Sequence, residues 1–180
     1  MPSSYVALLR GVNVSGKNML PMKALERVFV DVGCNEVRTY IQSGNVTFRA
    51  NKTLAKRLPD LITAQILQSF GFRIPVILRT AEQMAETIRN NPYLEKVPTI
   101  DFLYVMFLAD RPRQQKIDAL DHGQFAPDEF IVSGDRIYLR LPNGAGRSKL
   151  TNAYFDSRLG TISTSRNWRT VNKLLEMMQE

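Results

Sequence analysis

Two short apolar runs constrain the fold of this chain more than any other feature. Residues 5–9 read Tyr-Val-Ala-Leu-Leu, and residues 102–108 read Phe-Leu-Tyr-Val-Met-Phe-Leu. Each run has the length and the residue types of a strand that is covered on one or both faces. The sequence therefore predicts two central strands, one near the start of each half of the chain.

The segments that follow each run have the same order of strand, helix, strand, strand, helix and strand, with one more helix at the end. In the first half, the predicted strands cover residues 5–10, 36–41, 45–49 and 72–79, and the predicted helices cover residues 21–32, 53–70 and 81–90. In the second half, the predicted strands cover residues 102–108, 129–132, 136–141 and 161–164, and the predicted helices cover residues 112–120, 148–158 and 167–178.

Prolines and glycines set several of these boundaries. Pro21 opens the first helix and Gly33 closes it. Pro59 either kinks the helix at residues 53–70 or moves its start to about Pro59. Pro75 places the fourth strand at a sheet edge or at a bulge, because proline has no N–H to donate.

The repeated order of elements is the split βαβ, or ferredoxin-like, pattern. It predicts the α+β class, as an architectural duplication of two ferredoxin-like βαββαβ halves with an extra helix after each. Residues 1–90 form the first half, residues 91–100 are a linker with two prolines, and residues 101–180 form the second half. The repeat is one of element order, because the two halves show no clear identity at the level of residues.

The charge of the chain is positive and unevenly spread, with a formal net charge of +7. Residues 1–90 hold twelve cationic against six acidic side chains, residues 91–144 six against eight, and residues 145–180 six against three. Such asymmetry favours attraction to nucleic acid or to phosphorylated ligands. An ordinary basic surface that keeps a protein soluble explains the same charge.

Composition also excludes several classes of protein. No apolar run approaches the roughly 20 residues that cross a bilayer, so a membrane partner is not expected. The first residues lack a basic region and an apolar leader, which makes the cytoplasm the expected compartment. The single cysteine, Cys34, excludes an internal disulfide framework and a multi-cysteine zinc site. His122 is the only histidine, and no cluster has the spacing of metal ligands, so no metal is expected.

The loop after the first strand reads Arg10-Gly11-Val12-Asn13-Val14-Ser15-Gly16-Lys17-Asn18. It satisfies the phosphate-loop pattern G-x-x-x-x-G-K, in which backbone N–H groups and the lysine hold phosphates. Asn18 stands where that pattern has the Ser or Thr that helps to hold Mg²⁺, and Pro21 starts the helix too late. The loop is therefore either a glycine-rich connection or a polar loop that faces a ligand.

The tip of the first predicted hairpin carries three polar side chains, Gln42, Ser43 and Asn45. Glycine and asparagine are ordinary residues of tight turns, since both tolerate positive φ. The three side chains either contact a ligand or satisfy the turn, and the sequence does not favour one interpretation over the other.

Two predicted helix starts in the last third of the chain carry cations. Ser148 is a candidate N-cap with Arg147 and Lys149 beside it, and Ser165 is a candidate N-cap next to Arg166. Cations are mildly unfavourable near the positive end of a helix dipole, whereas an anion is favoured there. Both segments are therefore candidate anion sites.

Aromatic residues bear on the possibility of nucleic-acid binding. Trp168 is either a core residue or a platform on which a base stacks, and the core is favoured. The first half shares its strand order with RNA recognition motifs, which have an aromatic-rich third strand. Residues 45–49 contain Phe48 as their one aromatic residue, so this version of nucleic-acid binding is disfavoured.

Four segments occur in a fixed order along the chain: residues 7–18, residues 40–45, Arg147-Ser148-Lys149, and residues 164–168 followed by residues 170–174. Together they resemble the bacterial domain of unknown function 1697 family, over essentially the whole chain. Ser15 departs from the family pattern, which usually has glycine there. The resemblance implies a ferredoxin-like α+β fold and no established activity. The signature positions map onto Arg10, Gly11, Asn13, Gly16, Lys17, Asn18, Gln42, Ser43, Gly44, Asn45, Arg147, Ser148, Lys149, Arg166, Asn167 and Trp168.

We predict that these segments converge on one basic, amide-rich cleft between the two halves. Its ligand would be a nucleotide, another phosphorylated metabolite or the end of a nucleic acid. The predicted ligand-binding residues are Arg10, Asn13, Lys17, Asn18, Gln42, Ser43, Asn45, Arg147, Lys149, Arg166, Asn167 and Trp168. The alternatives are an enzyme that uses Lys17 as an electrophilic or acid–base group, and a nucleic-acid-binding protein. Catalytic residues, cofactors and oligomeric state are left unassigned.

Overall fold

The structure, a computed structural model, describes residues 2–14 and 16–180. Within these residues the chain forms two four-stranded antiparallel sheets and six α-helices. The predicted α+β class is therefore confirmed. None of the helices in this part of the chain has the length and apolar content that crossing a membrane requires.

The strands and helices follow one another in the predicted order. The strands are β1 (Ser3–Leu9), β2 (Asn35–Tyr40), β3 (Asn45–Ala50), β4 (Val76–Thr80), β5 (Leu103–Leu108), β6 (Glu129–Ser133), β7 (Arg136–Arg140) and β8 (Ser163–Asn167). The helices are α1 (Met22–Asp31), α2 (Lys52–Phe70), α3 (Ala81–Arg89), α4 (Gln114–Asp118), α5 (Asn152–Leu159) and α6 (Trp168–Gln179).

The chain divides into two compact units. The first unit contains the residues up to Ala85 together with Lys173–Glu180, and the second unit is Glu86–Asn172. The boundaries therefore fall inside α3 and inside α6. The sequence analysis instead places a linker at residues 91–100 and the whole of the last helix in the second half.

The first unit is built on a sheet with the strand order β2-β3-β1-β4, so β1 is central and β4 lies at an edge. Tyr5 of β1 lies opposite Phe48 of β3 on one side and opposite Thr80 of β4 on the other. Residues of α1 and α2 pack with one face of this sheet to form a hydrophobic core. Phe29 of α1 is fully buried there, with its ring centroid 5.2 Å from that of Phe48.

The second unit is built on a sheet with the strand order β6-β7-β5-β8, in which β5 is central and β8 lies at an edge. Its core contains Met106 and Leu108 of β5 and Phe155 of α5. The ring of Phe155 contacts that of Phe130 edge-on, with the centroids 5.1 Å apart. The residues of β5 are buried except for the half-buried Tyr104, in agreement with the predicted central position.

The two central strands have the same pairing register. An arginine occupies the same position of each edge strand, because Arg79 lies opposite Val6 and Arg166 lies opposite Val105. This register aligns a Tyr-Val-x-x-Leu pattern in β1 with the same pattern in β5. The expectation of no clear identity between the halves is therefore wrong for the central strands, where three of five residues match.

Pro59 and Pro75 lie in different positions relative to their elements than two of the predictions require. Helix α2 runs through Pro59 without interruption, so the alternative start at that residue is wrong. Asn51 caps the first turn by accepting a hydrogen bond from the Leu54 N–H at 2.8 Å, and the buried inner face keeps the helix continuous. Strand β4 begins at Val76, directly after Pro75, so this proline lies outside the strand. The predicted edge position of the strand is confirmed.

Candidate functional site

The loop between β1 and α1 is closed by its own backbone. The Lys17 N–H donates to the Val14 carbonyl at 2.9 Å, and the Asn13 N–H donates to the Asn18 carbonyl at 3.2 Å. Helix α1 begins only at Met22, after the proline, as the sequence predicts. Because these backbone donors are used within the loop, they do not form the phosphate cradle of a phosphate loop.

The Asn13 side chain joins the loop to the neighbouring hairpin tip. Its Nδ2 donates to the carbonyls of Leu20 at 2.9 Å and of Gln42 at 3.1 Å. Its Oδ1 accepts from the Leu20 N–H at 2.7 Å. Asn13 has a φ of 54°, a left-handed conformation that asparagine tolerates better than most residues. The hairpin tip between β2 and β3 is therefore held against the loop.

The amides of Asn18 and Asn45 are also engaged within the first unit. Asn18 Nδ2 donates to the Gly11 carbonyl at 3.0 Å. Asn45 is fully buried, and its Nδ2 donates to the Tyr40 carbonyl at 3.1 Å and to the Ser43 hydroxyl at 2.9 Å. These side chains give the loop and the hairpin tip their shape, and their contact with a ligand stays a prediction.

Among the described residues of the β1–α1 loop and the neighbouring hairpin tip, the exposed polar side chains include Lys17 and Gln42. Arg10 is half-buried, and its N–H donates to the Pro75 carbonyl at 3.0 Å. Ser15, where the chain departs from the family pattern, lies outside the described residues. The loop therefore presents the Lys17 side chain, and the hairpin tip beside it presents the Gln42 amide, on a framework of internal hydrogen bonds.

In the second unit, the helix after the second hairpin begins later than predicted. Helix α5 starts at Asn152, and the Thr151 hydroxyl caps it by accepting from the Tyr154 N–H at 3.2 Å. Ser148 has extended backbone, and its hydroxyl accepts from the Leu150 N–H at 3.0 Å. The prediction that Ser148 caps a helix is wrong. The chain is non-helical from Ser148 to Thr151, and Leu150 within this segment packs into the core.

Arg147 and Lys149 consequently lie outside the first turn of a helix, and they line a cavity of the second unit with a volume of about 410 Å³. Arg147 ends a 3₁₀ turn that follows Gly144, whose φ of 79° and ψ of 154° are essentially restricted to glycine. Both cationic side chains are exposed. Neither has a side-chain hydrogen bond or ion pair with another residue of the described chain.

The segment before β6 supplies the rest of the cavity lining, together with Asn143. Its polar residues are Gln124 and Asp128, and Phe125 and Pro127 are among its apolar residues. Asp128 is only 9% exposed. This segment is not apparent from the sequence, because a carboxylate before a strand has no distinctive pattern and only the tertiary fold brings it to the same cavity as the two cations.

The last predicted motif is divided between a strand and a helix. Ser165 and Arg166 lie in β8, so the prediction that Ser165 caps the last helix is wrong. Asn167 caps α6, since its Oδ1 accepts from the Thr170 N–H at 2.8 Å. Trp168 is 3% exposed, as expected for the core position that the sequence favours.

Arg166 is a buried cation of the second unit. Its guanidinium donates to the Thr164 hydroxyl at 2.8 Å and to the Ser165 carbonyl at 2.7 Å. Burial lowers the pKa of Arg166 to about 10, because the charged form loses contact with water. The side chain therefore remains protonated at neutral pH.

Cys34 is a packing residue of the first core, since it is 4% exposed, and burial raises the pKa of its thiol to about 11. The thiolate is the reactive form of cysteine. We expect the native protein to react with a thiol reagent at pH 8 at least ~100-fold more slowly than the urea-unfolded protein, because two pKa units remove most of the thiolate. Absorbance of the released chromophore measures both rates. Similar rates in the two states would contradict the burial.

The predicted ligand residues fall into two sets. Those of the N-terminal loop and hairpin tip belong to the first unit, and those from Arg147 to Trp168 belong to the second. A shared cleft stays a prediction. Among the described residues, no group of three or more His, Cys, Asp or Glu side chains is placed to hold a metal ion.

Comparison with known proteins identifies the family. A search of curated proteins gave no match. Among solved structures, the conserved bacterial protein SP0830 from Streptococcus pneumoniae is similar to this chain, with a TM-score of 0.75, 20% identity and 99% of each chain covered. At that identity the similarity shows a common fold alone. Residues 2–138 match the family described as protein of unknown function (DUF1697). The motifs at residues 7–18 and 40–45 lie within the matched residues, and the motifs at residues 147–149 and 164–174 lie beyond them. Because this match spans well over half of the chain, the protein belongs to the DUF1697 family, as predicted.

Proposed function

We propose that the second unit binds a small anionic ligand in the cavity lined by Arg147 and Lys149. One observation carries this proposal: a cavity of about 410 Å³ is lined by two cations that have no side-chain partner among the described residues. Small-molecule sites in proteins typically have volumes of about 300–1,000 Å³. The cavity has room for a phosphorylated metabolite or a mononucleotide.

The residues of the cavity suit recognition of a phosphate or a carboxylate. The planar guanidinium of Arg147 favours bidentate contact with such an anion, and the ammonium of Lys149 adds a compact charge. The amides of Gln124 and Asn143 offer neutral hydrogen-bond donors and acceptors at the same cavity. The set combines charge attraction with directional contacts.

Charge-neutralising substitutions test the proposal. We expect Arg147→Gln and Lys149→Gln each to weaken binding of a phosphate monoester roughly tenfold or more, because each removes a charge-assisted hydrogen bond. The matched control is Lys96→Gln, which removes one exposed lysine of the same unit that does not line this cavity. Isothermal titration calorimetry with inorganic phosphate, AMP and glycerol 3-phosphate measures the affinities.

The same titrations separate this proposal from nucleic-acid binding. Equal loss of affinity in Lys96→Gln and in the two cavity variants would contradict a specific site. Binding of an oligonucleotide with a steep salt dependence, and of none of the small anions, would instead favour the nucleic-acid alternative.

The exposed groups of the first unit remain a separate proposal. Lys17 and Gln42 are exposed, and they would contact an anion at the surface of the loop and hairpin tip. Asn13 and Asn45 would then act by holding that surface in shape, since their amides are engaged internally.

We also propose that each unit is a ferredoxin-like copy of one ancestral fold. Both sheets have the same strand order, with the first strand of the unit in the centre and the fourth at an edge. The equivalent positions of Arg79 and Arg166, and the repeated Tyr-Val-x-x-Leu pattern, support this proposal.

A further inference from the structure

A buried carboxylate lines the same cavity as the two cations. Asp128 comes directly before β6, and its N–H donates to the Phe125 carbonyl at 2.9 Å, which fixes the backbone at the cavity wall. The residue is 9% exposed. Asp128 is therefore mostly covered by the protein and lines the cavity in which a ligand would lie.

The Asp128 carboxylate has no hydrogen bond or ion pair with another residue among those the structure describes. Its sequence neighbour shows the usual arrangement, because the exposed Glu129 pairs with Arg140. The Asp128 oxygens are not among the fully buried polar atoms that lack a partner, so solvent in the cavity reaches them. A carboxylate that faces cavity solvent and has no internal donor is available to accept a charge-assisted hydrogen bond from a ligand.

From this we infer that the cavity selects anions that also carry a protonated amine, with Asp128 as the residue that receives the amine. The inference rests on the proposed function, since Arg147 and Lys149 hold the anionic group. Two cations and one carboxylate match a ligand with both signs of charge better than a simple anion, which the carboxylate repels. The ligand class is therefore a small phosphorylated or carboxylated amine.

The volume of the cavity is consistent with one molecule that carries both groups. About 410 Å³ accommodates a compact metabolite, so the anionic and cationic groups of one ligand are able to reach their partners together. The amides of Gln124 and Asn143 suit the polar atoms between the two charged groups, since an amide both donates and accepts.

A matched pair of ligands tests this inference. O-phosphoethanolamine carries a phosphate and an ammonium, and n-propyl phosphate has the same length without the ammonium. We expect wild-type protein to bind O-phosphoethanolamine roughly tenfold more tightly than n-propyl phosphate in calorimetric titrations, as expected for one charge-assisted hydrogen bond. In Asp128→Asn, which keeps the side-chain shape, we expect this preference to fall to about twofold or less.

Two controls keep the result interpretable. Asp118→Asn removes an exposed carboxylate on α4 that does not line the cavity, and it should retain the full preference. The thermal midpoint of Asp128→Asn without ligand should stay close to that of the wild type, because the carboxylate has no partner among the described residues to lose. If Asp128→Asn fails to fold, Asp128→Ser takes its place in the same titrations.

The outcomes distinguish this inference from the proposed function. Equal affinities of the two ligands in wild-type protein, or an unchanged preference in Asp128→Asn, would overturn the role of Asp128 and leave the anion site intact. Failure of both phosphate esters to bind wild-type protein would overturn the anion site itself.

Discussion

Replacement of Gly44 by alanine is expected to lower the free energy of unfolding by about 2–4 kcal/mol. A Cβ at this position would lie 2.8 Å from the Leu9 Cβ and 3.2 Å from the Cβ of Val12. Both neighbours are buried, so neither moves without disturbing the core. Gly44 also has a φ of +69°, which is unfavourable for residues with a side chain.

Gly71→Ala is the matched control for this substitution. Gly71 ends α2 with a φ of +78°, and a Cβ there would meet no atom within 4 Å. We expect a loss of about 1–2 kcal/mol, from the backbone conformation alone. Chemical denaturation followed by far-UV circular dichroism measures both variants. Fluorescence is less suitable, because Trp168, the single tryptophan, reports on the second unit. Equal losses in the two variants would contradict the close packing around Gly44.

Asn13→Ala is expected to cost about 2 kcal/mol of stability in the first unit. The substitution removes two hydrogen bonds with Leu20 and one with the Gln42 carbonyl. Each contributes about 1 kcal/mol or less, because water is able to bind the backbone groups that lose the Asn13 side chain. It also leaves alanine at a φ of 54°. Far-UV circular dichroism in urea measures the change.

Asn13→Asp separates the donors from the acceptor. Aspartate keeps an oxygen that accepts from the Leu20 N–H but turns a second oxygen toward the Leu20 and Gln42 carbonyls, so we expect a stability no higher than that of Asn13→Ala. Wild-type stability of Asn13→Ala would show that these bonds do not hold the loop. The two variants also test whether Asn13 contacts a ligand. If it does, they should lose more affinity for that ligand than their loss of stability explains.

The order of the elements was predictable because local signals marked most boundaries. Pro21 and Gly71 stand at helix ends, where a missing N–H and a positive φ are tolerated best. The edge position of β4 followed from Pro75, and the central position of β5 followed from its apolar run. These signals act over a few residues, so they are visible in the sequence itself.

Helix starts with several capping candidates were less predictable. Ser148 and Thr151 both suit an N-cap, and the burial of Leu150 between them favours Thr151. In the last helix, Ser165 and Asn167 compete in the same way, and the pairing of β8 with β5 keeps Ser165 in a strand. In both cases tertiary contacts decide between local alternatives of similar energy.

The candidate site was predictable only in part for the same reason. Arg147 and Lys149 stood out by their charge beside glycines, although their assignment to a helix start was wrong. Asp128 carried no local signal, because its relevance arises from a cavity formed by segments that lie apart in the sequence. Sequence patterns thus identified the cations and left the carboxylate unnoticed.

The position of the unit boundaries inside α3 and α6 makes the first unit discontinuous in sequence and the second an insertion within it. Arg38 of β2 forms an ion pair with Glu180, and its guanidinium also donates to the Met177 carbonyl, so a strand that precedes the inserted unit contacts residues that follow it. The first unit is therefore complete only when the residues on both sides of the insertion are present. A fragment that ends after α3 would lack the partners of Arg38, whereas the inserted unit carries its sheet within one continuous segment.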